Sequence, residues 1–128
     1  ATRWYPPQNL QHKVNYDGAL FKEIWQVGVG AVVRDADGRV CGALSDRMAV
    51  PGTVEEVEAI VCRKVVHFGL QLGLVDVVFE GDSKSITAAI NLGSPCYSSF
   101  GHILDEVKKL ALNFVSTSFV HVRDRGMS

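Results

Sequence analysis

Residues 13–21 alternate apolar and polar positions with the two-residue period of a half-buried strand, and the stretch that follows is rich in β-branched residues. This pattern predicts a strand over about 12–21, a second in "WQVGVGAVVRD", and a third in "RVCGALSD". The "DADG" at 35–38 supplies turn chemistry between the last two, so the three form an antiparallel meander. From Val54 the period changes to steps of three and four. Val54, Val57, Val61, Val65, Phe68 and Leu72 make the stripe of an amphipathic helix. Pro51 precedes it, Thr53 is its expected N-cap with Glu56 completing a capping box, and Gly73 closes it. "VDVVFEG" is a short apolar strand. Asp82 and Ser83 open a second helix that ends near 91–93. A third helix is expected from about Ser98 to Asn113, with Phe100, Ile103, Leu104, Val107, Leu110 and Ala111 on one side, and "VSTSFVHVRD" is a last strand. The order β-β-β-α-β-α-α-β predicts an α/β (α+β) domain, a five-stranded mixed sheet with helices packed on it.

The 128 residues suit one domain with its own core. Residues 1–10, with a Pro-Pro pair and no periodicity, read as an extended lead-in whose Trp4 and Tyr5 pack on a domain spanning 11–128. The chain starts with Ala rather than Met, which fits a piece processed or excised from a longer protein. Thirteen Lys and Arg against fourteen Asp and Glu leave a net charge of −1, which argues against nucleic-acid binding by a general basic surface. A local patch, or bound metal ions, would have to supply positive charge. Cys41, Cys62 and Cys96 form no C-x-x-C pair and read as small buried residues. The expected setting is intracellular, nucleus or cytoplasm, with no membrane partner, because neither a bilayer-length apolar run nor a signal-peptide pattern is present.

Three carboxylates stand out. Asp17 in "KVNYDGALF" is either the first residue of an Asp-Gly hairpin turn or a carboxylate held within a strand. Glu58 lies on the margin of the helical stripe, where a Glu is ordinarily a rim residue. Asp82 sits where a helix begins, the position of an N-cap, and also where a strand end delivers a ligand group to a sheet edge. None is specific singly. Converging on one spot, they would repel one another, and a hard dication such as Mg²⁺ or Mn²⁺ would remove that penalty. Gly28-x-Gly30 lacks the third glycine of a dinucleotide fingerprint and reads as plain strand.

The set "VNYDGA", "GVGAVVRDADGRV", "VEAIVCRKVVHFGLQLGL", "VVFEGDS" and "FVHVRD" resembles the type 1 ribonuclease H fold. It looks closest to plant ribonuclease H-like domains related to retroelement reverse transcriptases, from about Trp4 onward. The resemblance implies endonucleolytic cleavage of the RNA strand of an RNA–DNA hybrid. Asp17 in D-G, Glu58 in E-A and Asp82 in D-S match its catalytic and metal-binding positions. Two Mg²⁺ (or Mn²⁺) ions about 3.5–4 Å apart would flank the scissile phosphate. Gly18, Ala19, Glu58 and Ser83 are the implied substrate-binding residues, reading 2′-hydroxyls along the minor groove. The family's fourth carboxylate lies beyond "HVRDRGMS"; Asp124 is near it but does not match its slot, and His121 and Asp124 stand as accessory candidates. The family's C-terminal helix and the basic helix of some bacterial members are not seen. The chain is therefore expected to be a weak or Mn²⁺-preferring nuclease, a monomer or a homodimer hiding apolar sheet surface. The alternative is an inactive module that binds nucleic acid or protein.

Overall fold

Val27, Val29, Ala31 and Val33 alternate along one strand and are all buried, which leaves Gly28, Gly30 and Val32 on the opposite face. A computed structural model describes residues 10–50, 53–92 and 100–122, with only the backbone described at 54 and 55. Its elements are β1 (Gln11–Phe21), β2 (Gln26–Arg34), β3 (Val40–Ala49), α1 (Val54–Gln71), β4 (Asp76–Gly81), α2 (Lys84–Asn91), α3 (Gly101–Ala111) and β5 (Ser116–His121). The lead-in, Pro51, Cys96, the expected helix start at Ser98 and Asp124 lie outside the described residues.

The Asp-Gly turn reading fails. Asp17 and Gly18 pair with Gly30 and Val29 inside the β1–β2 ladder. The hairpin turns instead at 22–25, where the Trp25 N–H donates to the Lys22 carbonyl at 3.3 Å. Trp25 takes φ = 50°, a left-handed conformation unusual for a bulky residue. The ladder runs past Asp17 because Leu20 still finds Val27 opposite it. The third strand also continues three residues beyond Asp46, to Ala49.

Thr53 caps α1, its hydroxyl oxygen accepting the Glu56 N–H at 3.2 Å. The reciprocal half of the capping box takes another form, the Thr53 hydroxyl donating to Glu56 Oε1 at 3.3 Å. Gly73 follows the helix with φ = 72°, as its C′ role requires. The buried face is wider than the expected stripe: Ala59, Cys62 and Val66 join Val57, Val61 and Val65. The reason is that α1 packs on α3 as well as on the sheet. Cys41 departs from expectation, being exposed on the edge strand β3, whereas Cys62 is buried.

The sheet order is β3-β2-β1-β4-β5, with β4 parallel to both β1 and β5. The crossovers β3-α1-β4 and β4-α2-α3-β5 run in the same direction across the sheet. Sharing the usual right-handed sense, they bring α1 and α3 to the same face, where the two pack together. Phe79 on β4 is the centre of the core, stacked on Phe119 at 5.2 Å and tilted against Phe114 at 5.7 Å between ring centroids. The opposite face is mixed rather than apolar. Lys13 pairs with Glu80 at 3.4 Å and Asn15 donates to the same carboxylate at 3.3 Å, beside the half-buried Val32 and Val78. Among the described residues, no helix is long and apolar enough to cross a membrane.

Phe79→Ala is expected to destabilise the fold by about 3–5 kcal/mol. Urea denaturation should show this as a lower midpoint, with Phe79→Leu losing less.

Candidate active site

The parallel register of β1 and β4 runs from Gln11↔Asp76 to Asn15↔Glu80 and stops there. Carried two residues further, it would set Asp17 against Asp82. β1 continues to Phe21 along β2, whereas β4 ends at Gly81, so the two strands part at this point. This is also the switch point of the sheet, with the meander on one side of β1 and the crossover strands on the other. Open sheets bind ligands in such crevices, beyond the carboxyl ends of the parallel strands.

Two glycines make the junction possible. A Cβ on Gly81 would lie 2.5 Å from Tyr16 Cζ, so the Tyr16 ring occupies the space of the missing side chain. A Cβ on Gly18 would lie 2.8 Å from Val61 Cγ2, so α1 crosses close above the strand just after Asp17. That approach brings Glu58, one helical turn before Val61, to the same opening. Asp17, Gly18, Glu58, Asp82 and Ser83 line one cleft of about 140 Å³, with Tyr16 in its wall.

The capping residue of α2 is Ser83 rather than Asp82. Its hydroxyl oxygen accepts the Ile86 N–H at 3.3 Å and donates to Glu58 Oε2 at 2.9 Å. One serine thus closes the helix and holds the Glu58 carboxylate, and Asp82 is relieved of capping. Partial burial holds the Asp17 carboxyl above its ordinary range, and the neighbouring Asp82 carboxylate adds to this; the Gly18 N–H, donating to Asp17 Oδ1 at 2.8 Å, opposes it. Tyr16 is held well above its ordinary range, first by burial and then by Cys62, with which its hydroxyl shares a hydrogen bond, and by Asp82 and Glu58. Burial pushes the Cys62 thiol up to about 12, so both groups stay neutral.

The remaining sequence-derived residues are placed as follows. Ala19 is exposed on the face away from the helices and borders Asp17 there. His121 is exposed on β5, paired with Gly81, and does not line the cleft. Among the described residues, no group of three or more His, Cys, Asp or Glu side chains is arranged to hold a metal ion. The close contact is between Asp17 and Asp82, whose side chains come within hydrogen-bonding reach. Tyr16 and Cys62 were not foreseen. The one signal for Tyr16 was a large aromatic ring at an inward strand position, which reads as ordinary core.

The fold and the cleft define a type 1 ribonuclease H-like domain. The chain belongs to the reverse transcriptase-like family, whose model matches residues 15–126. No curated protein sequence matches it. Among solved structures it is similar to ribonuclease H1 of Halobacterium salinarum NRC-1, with a TM-score of 0.78 and 18% identity over 88% of this chain and 86% of that one. The N-terminal ribonuclease H domain of a Mycobacterium tuberculosis protein gives a TM-score of 0.74 and 18% identity over 91% and 84%. A compost-derived ribonuclease H1 in complex with an RNA/DNA hybrid gives a TM-score of 0.65 and 17% identity over 88% and 85%.

Two outcomes follow for the metal-free protein. A carboxyl whose pKa is raised on folding binds more protons in the native state, so its contribution to stability falls as pH rises from the unfolded to the folded pKa. Asp17→Asn should therefore melt higher than the parent in EDTA at pH 7, and the gain should vanish as pH drops below the carboxylate range. Gly81→Ala should cost about 1–3 kcal/mol through overpacking against Tyr16. Adding Tyr16→Val should recover most of that loss, read as a coupling energy in urea denaturation.

Proposed function

We propose that this domain hydrolyses the RNA strand of RNA–DNA hybrids, with Mg²⁺ or Mn²⁺ held by Asp17, Glu58 and Asp82. The observation that carries this reading is the meeting of these three residues, in the family's order, around one cleft at the switch point of the sheet. The donor chemistry fits a hard dication: every donor is a carboxylate oxygen, and the Asp17–Asp82 pair is a like-charge contact that a cation would relieve. The arrangement is that of a pair with a third carboxylate in reserve, since Glu58 is engaged by Ser83. When bound, the cations supply neutralisation of the scissile phosphate and activation of water for in-line attack.

The chain's own residues divide the remaining work. Asp17 within β1 and Asp82 just past the end of β4 fix the width of the opening. Ser83 orients Glu58 and keeps its second oxygen free to accept a hydrogen bond from a ribose 2′-hydroxyl, the group that distinguishes RNA from DNA. Gly18 makes room for Val61 rather than for RNA, and so lets α1 bring Glu58 to the cleft beside Asp17. Tyr16 and Cys62, both neutral, form a floor that adds no charge beneath the carboxylates.

Cleavage of an internally labelled RNA–DNA hybrid, in Mg²⁺ and separately in Mn²⁺, tests the proposal. The expected outcome is internal cuts in the RNA strand by the parent and loss of at least about a hundredfold in rate for Asp17→Asn, the scale of removing a group that stabilises the transition state. Equal rates for parent and variant would end the nuclease reading. Hybrid binding that survives with no turnover in either would favour an inactive binding module.

A further inference from the structure

Asp17 belongs to a second surface that the cleft does not use. On the face away from the helices, the β1–β2–β3 register places Asp17, Gly30 and Ser45 in one row and Ala19, Gly28 and Arg47 in the next. With Phe21, Val29 and Asp46, these residues line a shallow trough of about 560 Å³ that begins at Asp17 and runs outward across the meander. Its floor is bare at Gly30, where a Cβ would meet nothing within 4 Å, and covered at Gly28 by the Phe21 ring, 3.1 Å from where a Cβ would lie. Its far end is cationic. The Arg47 guanidinium lies 5.1 Å above the centre of the Phe21 ring, a stacked cation–π arrangement that holds it over the trough.

Arg47 differs from most cations around it. Lys64 is paired with Asp46, Arg63 with Glu106 and Lys13 with Glu80. Asp46, its chain neighbour, points to the helix side and is committed to Lys64 there. Among the described residues Arg47 has no carboxylate partner. It is exposed, pre-oriented and uncompensated beside a hydroxyl, Ser45, which is also exposed.

Resting on the nuclease reading, we infer that this trough is a backbone subsite for the RNA strand. Arg47 holds a phosphate next to the scissile one, and the exposed Ser45 hydroxyl is available to the same group. Two strand spacings, about 10 Å, separate β1 from β3; adjoining phosphates of one strand lie closer together than that, and the Arg47 side chain, leaning over the Phe21 ring of β1, shortens the gap. The guanidinium fork suits a phosphate's oxygens, and its stacking on Phe21 reduces the ordering cost of binding. The subsite supplies, at one point, the positive charge that the chain as a whole lacks.

The test is binding of a fluorescein-labelled RNA–DNA hybrid by the full chain carrying Asp17→Asn, with and without Arg47→Ala or Arg47→Lys, across a salt series. Arg47→Ala should weaken binding severalfold and reduce the slope of log affinity against log salt by about 1. Arg47→Lys should retain most of the slope. In a second arm, a single uncharged methylphosphonate linkage is moved along the RNA. The Arg47→Ala effect should disappear when that linkage occupies one position beside the cut site, and persist at the others. If Arg47→Ala binds like its parent at every salt concentration, while the unmutated chain cleaves hybrid, the subsite is wrong and the nuclease reading stands. If the unmutated chain neither binds nor cleaves hybrid, both fall together.

Discussion

The structure turns on one strand pairing, the parallel register that joins β1 to β4. It cannot be made by a tight turn; it needs the chain to leave the meander, cross the sheet as α1 and return. The crossover therefore seats Val57, Val61 and Val65 against the meander and carries Glu58 with them. The register itself is pinned from the other face, where Lys13 and Asn15 both reach Glu80. A slip of one residue would break those contacts and turn Val14 and Phe79, both fully buried, towards the opposite face. With the register set, the end of the ladder at Asn15 and Glu80 is also set, and Asp17 and Asp82 stand at the parting of the strands.

That geometry brings like charges together, which folding alone would not favour. The Asp17 carboxyl is held above its ordinary range for this reason as well as for partial burial. The neighbouring polar groups limit the cost instead of removing it. The Gly18 N–H serves Asp17, the Ser83 hydroxyl serves Glu58, and Ser83 rather than Asp82 closes α2. No described lysine or arginine forms an ion pair with Asp17, Glu58 or Asp82. A structural carboxylate cluster would ordinarily be given such a cation. On the proposed function, a site that would admit a dication is better left without one, because a fixed internal cation would compete with it for the carboxylates.

Much of the fold was legible in the sequence because it is written in periods. The two-residue alternation of β2 and the three-and-four spacing of α1 each have one reading, and both elements fall where those periods place them. Local ambiguity appeared where one residue suits two roles. Asp-Gly is a turn signal, yet at 17–18 the ladder continues and the turn falls at 22–25, where no Asn-Gly or Asp-Gly marks it. Asp82 and Ser83 are both good caps, and sequence alone does not say which is used. The three carboxylates could be named from their order along the chain. What the sequence does not carry is the packing beneath them: that Tyr16 fills the space above Gly81, or that Val61 needs Gly18, depends on contacts between residues 43 to 65 positions apart.

Charge accounting then limits how such a domain can hold a polyanion. A net charge of −1 provides no long-range attraction, and the ion pairs of Lys13, Arg63 and Lys64 cancel those cations locally. Recognition must therefore work at contact distance, through shape, hydroxyl hydrogen bonds and a few uncompensated charges. The surface around Asp17 meets those conditions: a narrow cleft on one side of the sheet, a shallow trough on the other, and a single guanidinium over the Phe21 ring at the far end. A nucleic acid drawn there by contact rather than by field would be bound weakly and released readily. Because few phosphates would be neutralised, the salt dependence of binding would be shallow compared with that of a basic nucleic-acid-binding domain. On the proposed function, the carboxylates without an internal cation and the near-neutral surface are two parts of the same constraint: affinity would have to come from the ions and the few contacts made at the moment of binding.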